Sequence, residues 1–276
     1  MTLPPGACDS HVHTYGPFDR FPVPDDRSFT PNEAPETALR HLHDHLGFDR
    51  AVIVQSQGHG FDHRPMLEAL AIGAGRYRGV ALIRPQDTDV DIAAMNAAGV
   101  CGARFSFMSH LGANPPAAAI HAVADRVRQF DWHISIHVAG SGLVEHEAMI
   151  RSIQAPVVID HMGRLDLDEG LDGPAVTTLL RLLDTGSIWV KLSGTDRVSK
   201  TGAPYRDVAP LARRLATHAP QRVIWGSDWP HVNLHAPMPD DGDLVDLIAE
   251  IAPTIETKQA LLVDNPTRLF GFTNVL

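Results

Sequence analysis

The stretch ACDSHVHTYGP, residues 7–17, begins apolar, places His11 and His13 one residue apart and breaks at a Gly-Pro turn. It reads as a short β-strand followed by a loop. Alternate side chains of a strand share a face, so Asp9, His11 and His13 are expected to point the same way, with both histidines near the strand's C-terminal end. Seven more apolar, β-branched runs follow: RAVIVQS (50–56), YRGVALI (77–83), VCGARFS (100–106), HISIHV (133–138), PVVIDHM (156–162), IWVKLSG (188–194) and RVIWGSD (222–228). Segments such as ETALRHLHDHLG, AAAIHAVADRVRQFD and VTTLLRLLDTG lie between them with helical periodicity, and some end in Gly. Eight strand–helix repeats predict a parallel sheet closed into an α/β (β/α)8 TIM barrel. An open doubly wound sheet is the alternative, but no GxGxxG follows the first strand. No linker or low-complexity tract divides the chain, so residues 1–276 are expected to form one domain. The Pro-rich loop at about 14–36 leaves the histidine-bearing strand and is expected to act as a lid.

Acidic residues outnumber basic ones, 33 to 23, for a formal net charge of −10. That balance argues against a nucleic-acid partner, which needs a basic face. It would also repel an anionic substrate, so any bound anion must be met by locally placed arginines. Cys8 and Cys101 form no CxxC pair and read as reduced thiols. The N-terminus lacks the features of a signal peptide, and no apolar run reaches the roughly 18 residues of a membrane span. The expectation is a cytoplasmic protein with no membrane partner. Whether it is a monomer or a homo-oligomer stays open.

Polar residues collect at the predicted strand ends: His11 and His13, His137, Asp160 and His161, and Asp228. Neutral imidazoles and a carboxylate arriving from separate strands suit a first-row metal with one position open for water. Barrel enzymes place their chemistry at that end.

Taken together, DSHVHTYGP, VVIDHMGR, IWGSDWPH and the closing NPTRLFGF resemble the amidohydrolase superfamily, of the amidohydrolase-2 type. More narrowly they are similar to its lactonase branch, whose members include 2-pyrone-4,6-dicarboxylate lactonases. DHLGFDRAVIVQ and PDDGDLVDLI extend the likeness over nearly the whole chain. The resemblance implies hydrolysis of a small anionic lactone in aromatic-acid catabolism. It assigns His11, His13, His161 and Asp228 to catalysis, with Asp228 as the general base, and Arg104, Arg164 and Arg197 to the substrate's anionic groups. Three positions depart from the branch's pattern: His110 stands in place of an arginine, His137 in place of a tyrosine, and the pattern has a further tyrosine near where this chain has Phe29. His110 is therefore expected at the substrate. His137 completes a ligand set of His11, His13, His137 and Asp228 for one divalent metal, zinc by its ligand chemistry, although the branch is regarded as able to act without one.

Other readings remain beside this one: a sugar-acid lactone or substituted muconolactone as substrate, a metal-dependent decarboxylase of an aromatic or enol acid, or a barrel that only binds a ligand. Arg84, at the end of the third strand, is a further anion-binding candidate that the resemblance does not support. His41, His43 and His45 are expected on a solvated helix face, and APMPDDGD (236–243) in an exposed acidic turn.

Overall fold

A computed structural model describes residues 1–234 and 236–273. Eight parallel strands run in sequence order: β1 (Cys8–Val12), β2 (Arg50–Val54), β3 (Tyr77–Ala81), β4 (Val100–Ser106), β5 (His133–His137), β6 (Val157–Ile159), β7 (Ile188–Leu192) and β8 (Val223–Trp225). All eight predicted strands occur, each trimmed at its ends or matched. Closure comes from a parallel bridge between Val12 and Trp229, with Asp228 N–H donating to the His11 carbonyl (2.9 Å) and His13 N–H to the Trp229 carbonyl (2.8 Å). The result is the (β/α)8 barrel.

The seam between β8 and β1 passes directly through the histidine-bearing segment. Gly226 permits it, because a Cβ there would lie 2.7 Å from the His11 backbone nitrogen. A side chain at 226 would push apart the backbone that positions His11.

Cys8, Val52, Val54, Val80, Val158, Trp189 and Ile224 pack into one apolar cluster drawn from six strands, joined by Phe270 and Phe272 of the C-terminal segment. Two residues further along the same strands stand Asp160 after Val158 and Lys191 after Trp189. By strand alternation these occupy the same face, one layer nearer the C-terminal ends. A larger cluster, including Leu39, Ile53, Leu179, Leu215 and Ile248, joins the outward strand faces to the helices. Thr88 and Asp91 form a reciprocal capping box at the helix Asp89–Ala97. No helix among the described residues is long and apolar enough to cross a membrane.

Two local expectations fail for identifiable reasons. Asp9 does not share a face with His11. The β1–β2 register shifts between Asp9 and Val12, and the Asp9 carboxylate reaches the outer layer, 3.4 Å from His43 Nε2. A bulge of this kind re-aims the side chains that follow it. His43, in turn, is fully buried rather than solvated. It lies four residues after buried Leu39 on the helix Glu36–Leu46, whose inward stripe carries it against Phe48, while His41 and His45 remain exposed.

The predicted sixth and eighth strands run three residues further at their C-terminal ends in the sequence reading than in the fold. After Ile159 the chain enters left-handed backbone at His161, Met162, Gly163 and Arg164, and Asp228 has φ 69°. Their side chains are thus presented by tight turns, not by strand pleats.

Candidate active site

β1 carries His11 and its end carries His13, both buried in the barrel mouth. His11 Nδ1 lies 3.0 Å from Lys191 Nζ. His13 Nδ1 lies 2.8 Å from the Val54 carbonyl, to which it can only donate. A neutral His13 therefore offers the lone pair of Nε2 to the site.

Asp228 divides its two oxygens between different tasks. Arg197 donates through Nε to Oδ2 at 2.6 Å, and its Nη2 donates to the Val232 carbonyl at 2.9 Å. Oδ1 faces three imidazoles, 3.6 Å from His11 Nε2, 3.4 Å from His13 Nε2 and 3.9 Å from His161 Nε2. Burial would raise the Asp228 pKa, but the Arg197 guanidinium and the surrounding histidines hold it well below the usual carboxylate range. It is an ionised acceptor at neutral pH.

His161 is held by a 2.9 Å hydrogen bond between Nδ1 and Ser193 Oγ. Close behind it stands Gly194, in left-handed backbone, where a Cβ would approach Nδ1 to 3.0 Å. His137 ends β5, its Nδ1 3.4 Å from Ser106 Oγ and its ring 5.1 Å from that of His161. Burial pushes the pKa of both histidines well below the ordinary value, so both are neutral.

Beneath the histidines lies a layer in which sequence reasoning had Asp160 and Arg104 but missed Ser135 and Lys191. Asp160 accepts from Arg104 Nε at 2.9 Å, from Ser135 Oγ at 3.0 Å and from Lys191 Nζ at 3.1 Å. Burial opposes ionisation of Asp160, yet Lys191 and Arg104 keep it far below the normal carboxylate value. The signal for Lys191 was present: it alternates with Trp189 in a strand buried on both faces, where a charge must find a partner.

The mouth opens into a small cavity lined by Arg104, Arg164, Arg197, His110, Phe29 and Asp228, among others. Every predicted substrate-binding residue is therefore at this cavity. Phe29 arrives from the long loop, whose base is tied by paired backbone bonds between Tyr15 and Ala34. Arg164 is the uncommitted cation: it makes no hydrogen bond or ion pair with the described residues, and burial followed by repulsion from Arg197 lowers its pKa. Arg84 does not join the site; it pairs with Asp87 at 2.7 Å and lies over Phe61.

Among the described residues, two groups of three can close on a metal ion: His11, His13 and Asp228, and His11, Asp160 and His161. The first fits zinc or a similar ion by its donors, and His11 Nε2 is buried with no hydrogen-bond partner. In the second, Asp160 is already engaged by three donors. His137 falls in neither group, so the expected four-ligand set is not assembled around one point; its unpartnered Nε2 belongs to the cavity wall.

The amidohydrolase family model matches residues 8–272. The chain is 41% identical to the 2-pyrone-4,6-dicarboxylate hydrolase of Comamonas testosteroni, over 97% of this chain and 91% of that one. It is 38% identical to the 4-sulfomuconolactone hydrolase of Hydrogenophaga intermedia, over 98% and 90% respectively. Its fold superposes on the apo crystal structure of an Agrobacterium tumefaciens protein with a TM-score of 0.89 at 32% identity, covering 99% of this chain and 98% of the other. The matched span contains every strand of the barrel and the whole histidine–aspartate cluster, and the chain belongs to the amidohydrolase family.

Proposed function

We propose that the protein hydrolyses a small anionic lactone, with 2-pyrone-4,6-dicarboxylate the leading substrate. One observation carries the reading: Arg164, an uncommitted guanidinium, stands half-buried at a cavity that also receives Arg104 and Arg197. A chain of net charge −10 that places three arginines around one cavity is built to receive an anion there. The names of the relatives, both hydrolases of anionic ring compounds, support the same chemistry.

Hydrolysis of a lactone requires a water to attack the ring carbonyl carbon, a donor for the oxygen that gains charge, and a proton for the ring oxygen that leaves. Asp228 Oδ1 takes the proton of the attacking water, and His13 Nε2 accepts its second hydrogen and orients it. His11 and His161 face the carbonyl oxygen. When the ring C–O bond breaks, Asp228 returns the proton to the departing oxygen, leaving a hydroxyl or enol and a carboxylic acid, which loses its remaining proton to solvent on release. Arg164, with the free nitrogens of Arg104 and Arg197, holds the substrate's anionic groups, and the loop bearing Phe29 covers it. A divalent ion, zinc by the donor set, would be held by His11, His13 and Asp228 and would polarise the carbonyl.

Mixing purified protein with 2-pyrone-4,6-dicarboxylate near neutral pH should remove the pyrone absorbance and yield the ring-opened acid. A 4-sulfomuconolactone arm reads whether a sulfonate is accepted in place of a carboxylate. Failure of folded protein to open either ring, with and without added zinc, overturns the reading; release of carbon dioxide instead would make it a decarboxylase.

A further inference from the structure

Lys191 is enclosed on all sides, yet its ammonium sits 3.0 Å from His11 Nδ1 and 3.1 Å from Asp160 Oδ1. We propose that Lys191 is a positioning residue: it fixes the proton of His11 on Nε2, making His11 a hydrogen-bond donor to the reacting carbonyl and weakening capture of a divalent ion by His11, His13 and Asp228.

An ammonium has three N–H groups and no lone pair, so toward His11 it can only donate. His11 Nδ1 must then accept, and a neutral imidazole that accepts at Nδ1 carries its proton at Nε2. That nitrogen points into the site, 3.6 Å from Asp228 Oδ1, and has no hydrogen-bond partner. Lys191 cannot swing away without loss, because Asp160, its other partner, is itself fixed by Arg104 and Ser135. His13 is set the opposite way, since the Val54 carbonyl accepts from Nδ1 and leaves Nε2 bare. Two histidines separated by one residue are thus held in opposite tautomers, one a donor and one an acceptor.

Such a pair suits the ends of a hydrolysis better than it suits a metal. A metal-binding histidine ordinarily donates its second ring N–H to a carboxylate or carbonyl, which raises its basicity as a ligand. His13 has that partner. His11 Nδ1 instead meets the Lys191 ammonium at 3.0 Å, and the Asp160 carboxylate, 3.6 Å from the same nitrogen, is already engaged by Arg104, Ser135 and Lys191, so an ion would have to displace the Nε2 proton and then face the ammonium across one imidazole.

The assignment rests on the lactonase reading only for the carbonyl that His11 would meet, and its tests need no lactone. Long-range proton–nitrogen NMR of the wild-type histidine rings should show His11 protonated at Nε2 and His13 at Nδ1; His11 protonated at Nδ1 overturns the proposal. Calorimetric zinc titration of metal-stripped protein should give Lys191→Met a dissociation constant lower by about tenfold or more. Lys191→Arg, which keeps a cationic donor, should retain wild-type zinc affinity. Equal zinc affinity in wild type and folded Lys191→Met overturns the proposal, and if that variant does not fold, the wild-type tautomers decide. Once a substrate is in hand, Lys191→Met should lose kcat with KM nearly unchanged.

Discussion

Below the mouth of the barrel, Asp160 accepts from Arg104, Ser135 and Lys191, and Lys191 also meets His11. At the rim, a few residues along the same turn, Arg164 makes no hydrogen bond or ion pair with the described residues and feels Asp228 and Asp196 only at longer range. Both regions carry buried or half-buried cations, but the lower one is satisfied internally and the upper one is not. A saturated buried network is rigid and contributes geometry; an unsatisfied guanidinium at a cavity contributes affinity for whatever brings a carboxylate or sulfonate. The reacting groups lie between the two, and Asp228 belongs to both: Oδ2 is tied down by Arg197 while Oδ1 stays available.

Substitutions should separate these roles. The largest effect is expected at the shared residue. Asp228→Asn keeps an oxygen for Arg197 but loses the base, and kcat should fall by about 10³-fold with the fold retained. Turnover within tenfold of wild type would remove Asp228 from that role. In the lower region the damage should be to stability. Asp160→Asn leaves Arg104 and Lys191 enclosed without their counter-charge, a change that costs about 3–5 kcal/mol, and denaturant unfolding should register it. An unaltered midpoint would mean the network is not the rigid element described.

pH should act on the interior more gently. Burial, and then the Lys191 ammonium, push His11 and His133 down to about 3. In the unfolded chain they titrate near 6.5, so stability from keeping them neutral is complete above that pH. As pH falls below 6.5 the unfolded chain takes up protons that the fold refuses, and the contribution is lost progressively toward pH 3. Each such histidine costs about 2 kcal/mol between pH 7 and pH 5. Asp160 and Asp228 are depressed, so their losses begin only as pH falls into the ordinary carboxylate range, below about pH 5, and do not mask the effect. The thermal midpoint should therefore drop from pH 7 to pH 5, and a level midpoint would contradict neutral burial.

The barrel was legible because eight apolar runs at regular intervals admit few arrangements, and the motifs around His11, His161 and Asp228 sit where such a barrel keeps its chemistry. Period-two alternation failed where the backbone departs from it. The β1 bulge turned Asp9 toward His43, and left-handed turns, not strand ends, aim His161 and Asp228. Lys191 was hidden for a related reason, since a lysine in a strand ordinarily reads as outward-facing. The apolar run around it marks a strand buried on both faces, but the closed barrel is needed to show that the lysine's partners come from β1 and the turn after β6.

The contrast between a committed interior and an uncommitted rim is tested most directly by Arg164→Met, assayed on 2-pyrone-4,6-dicarboxylate beside wild type with thermal unfolding on the same samples. The account predicts a KM higher by about tenfold or more, as loss of a charge-assisted contact worth roughly 1.5–3 kcal/mol implies, with kcat little changed and no fall in the unfolding midpoint. An unchanged KM, or a variant that is chiefly less stable, would contradict it.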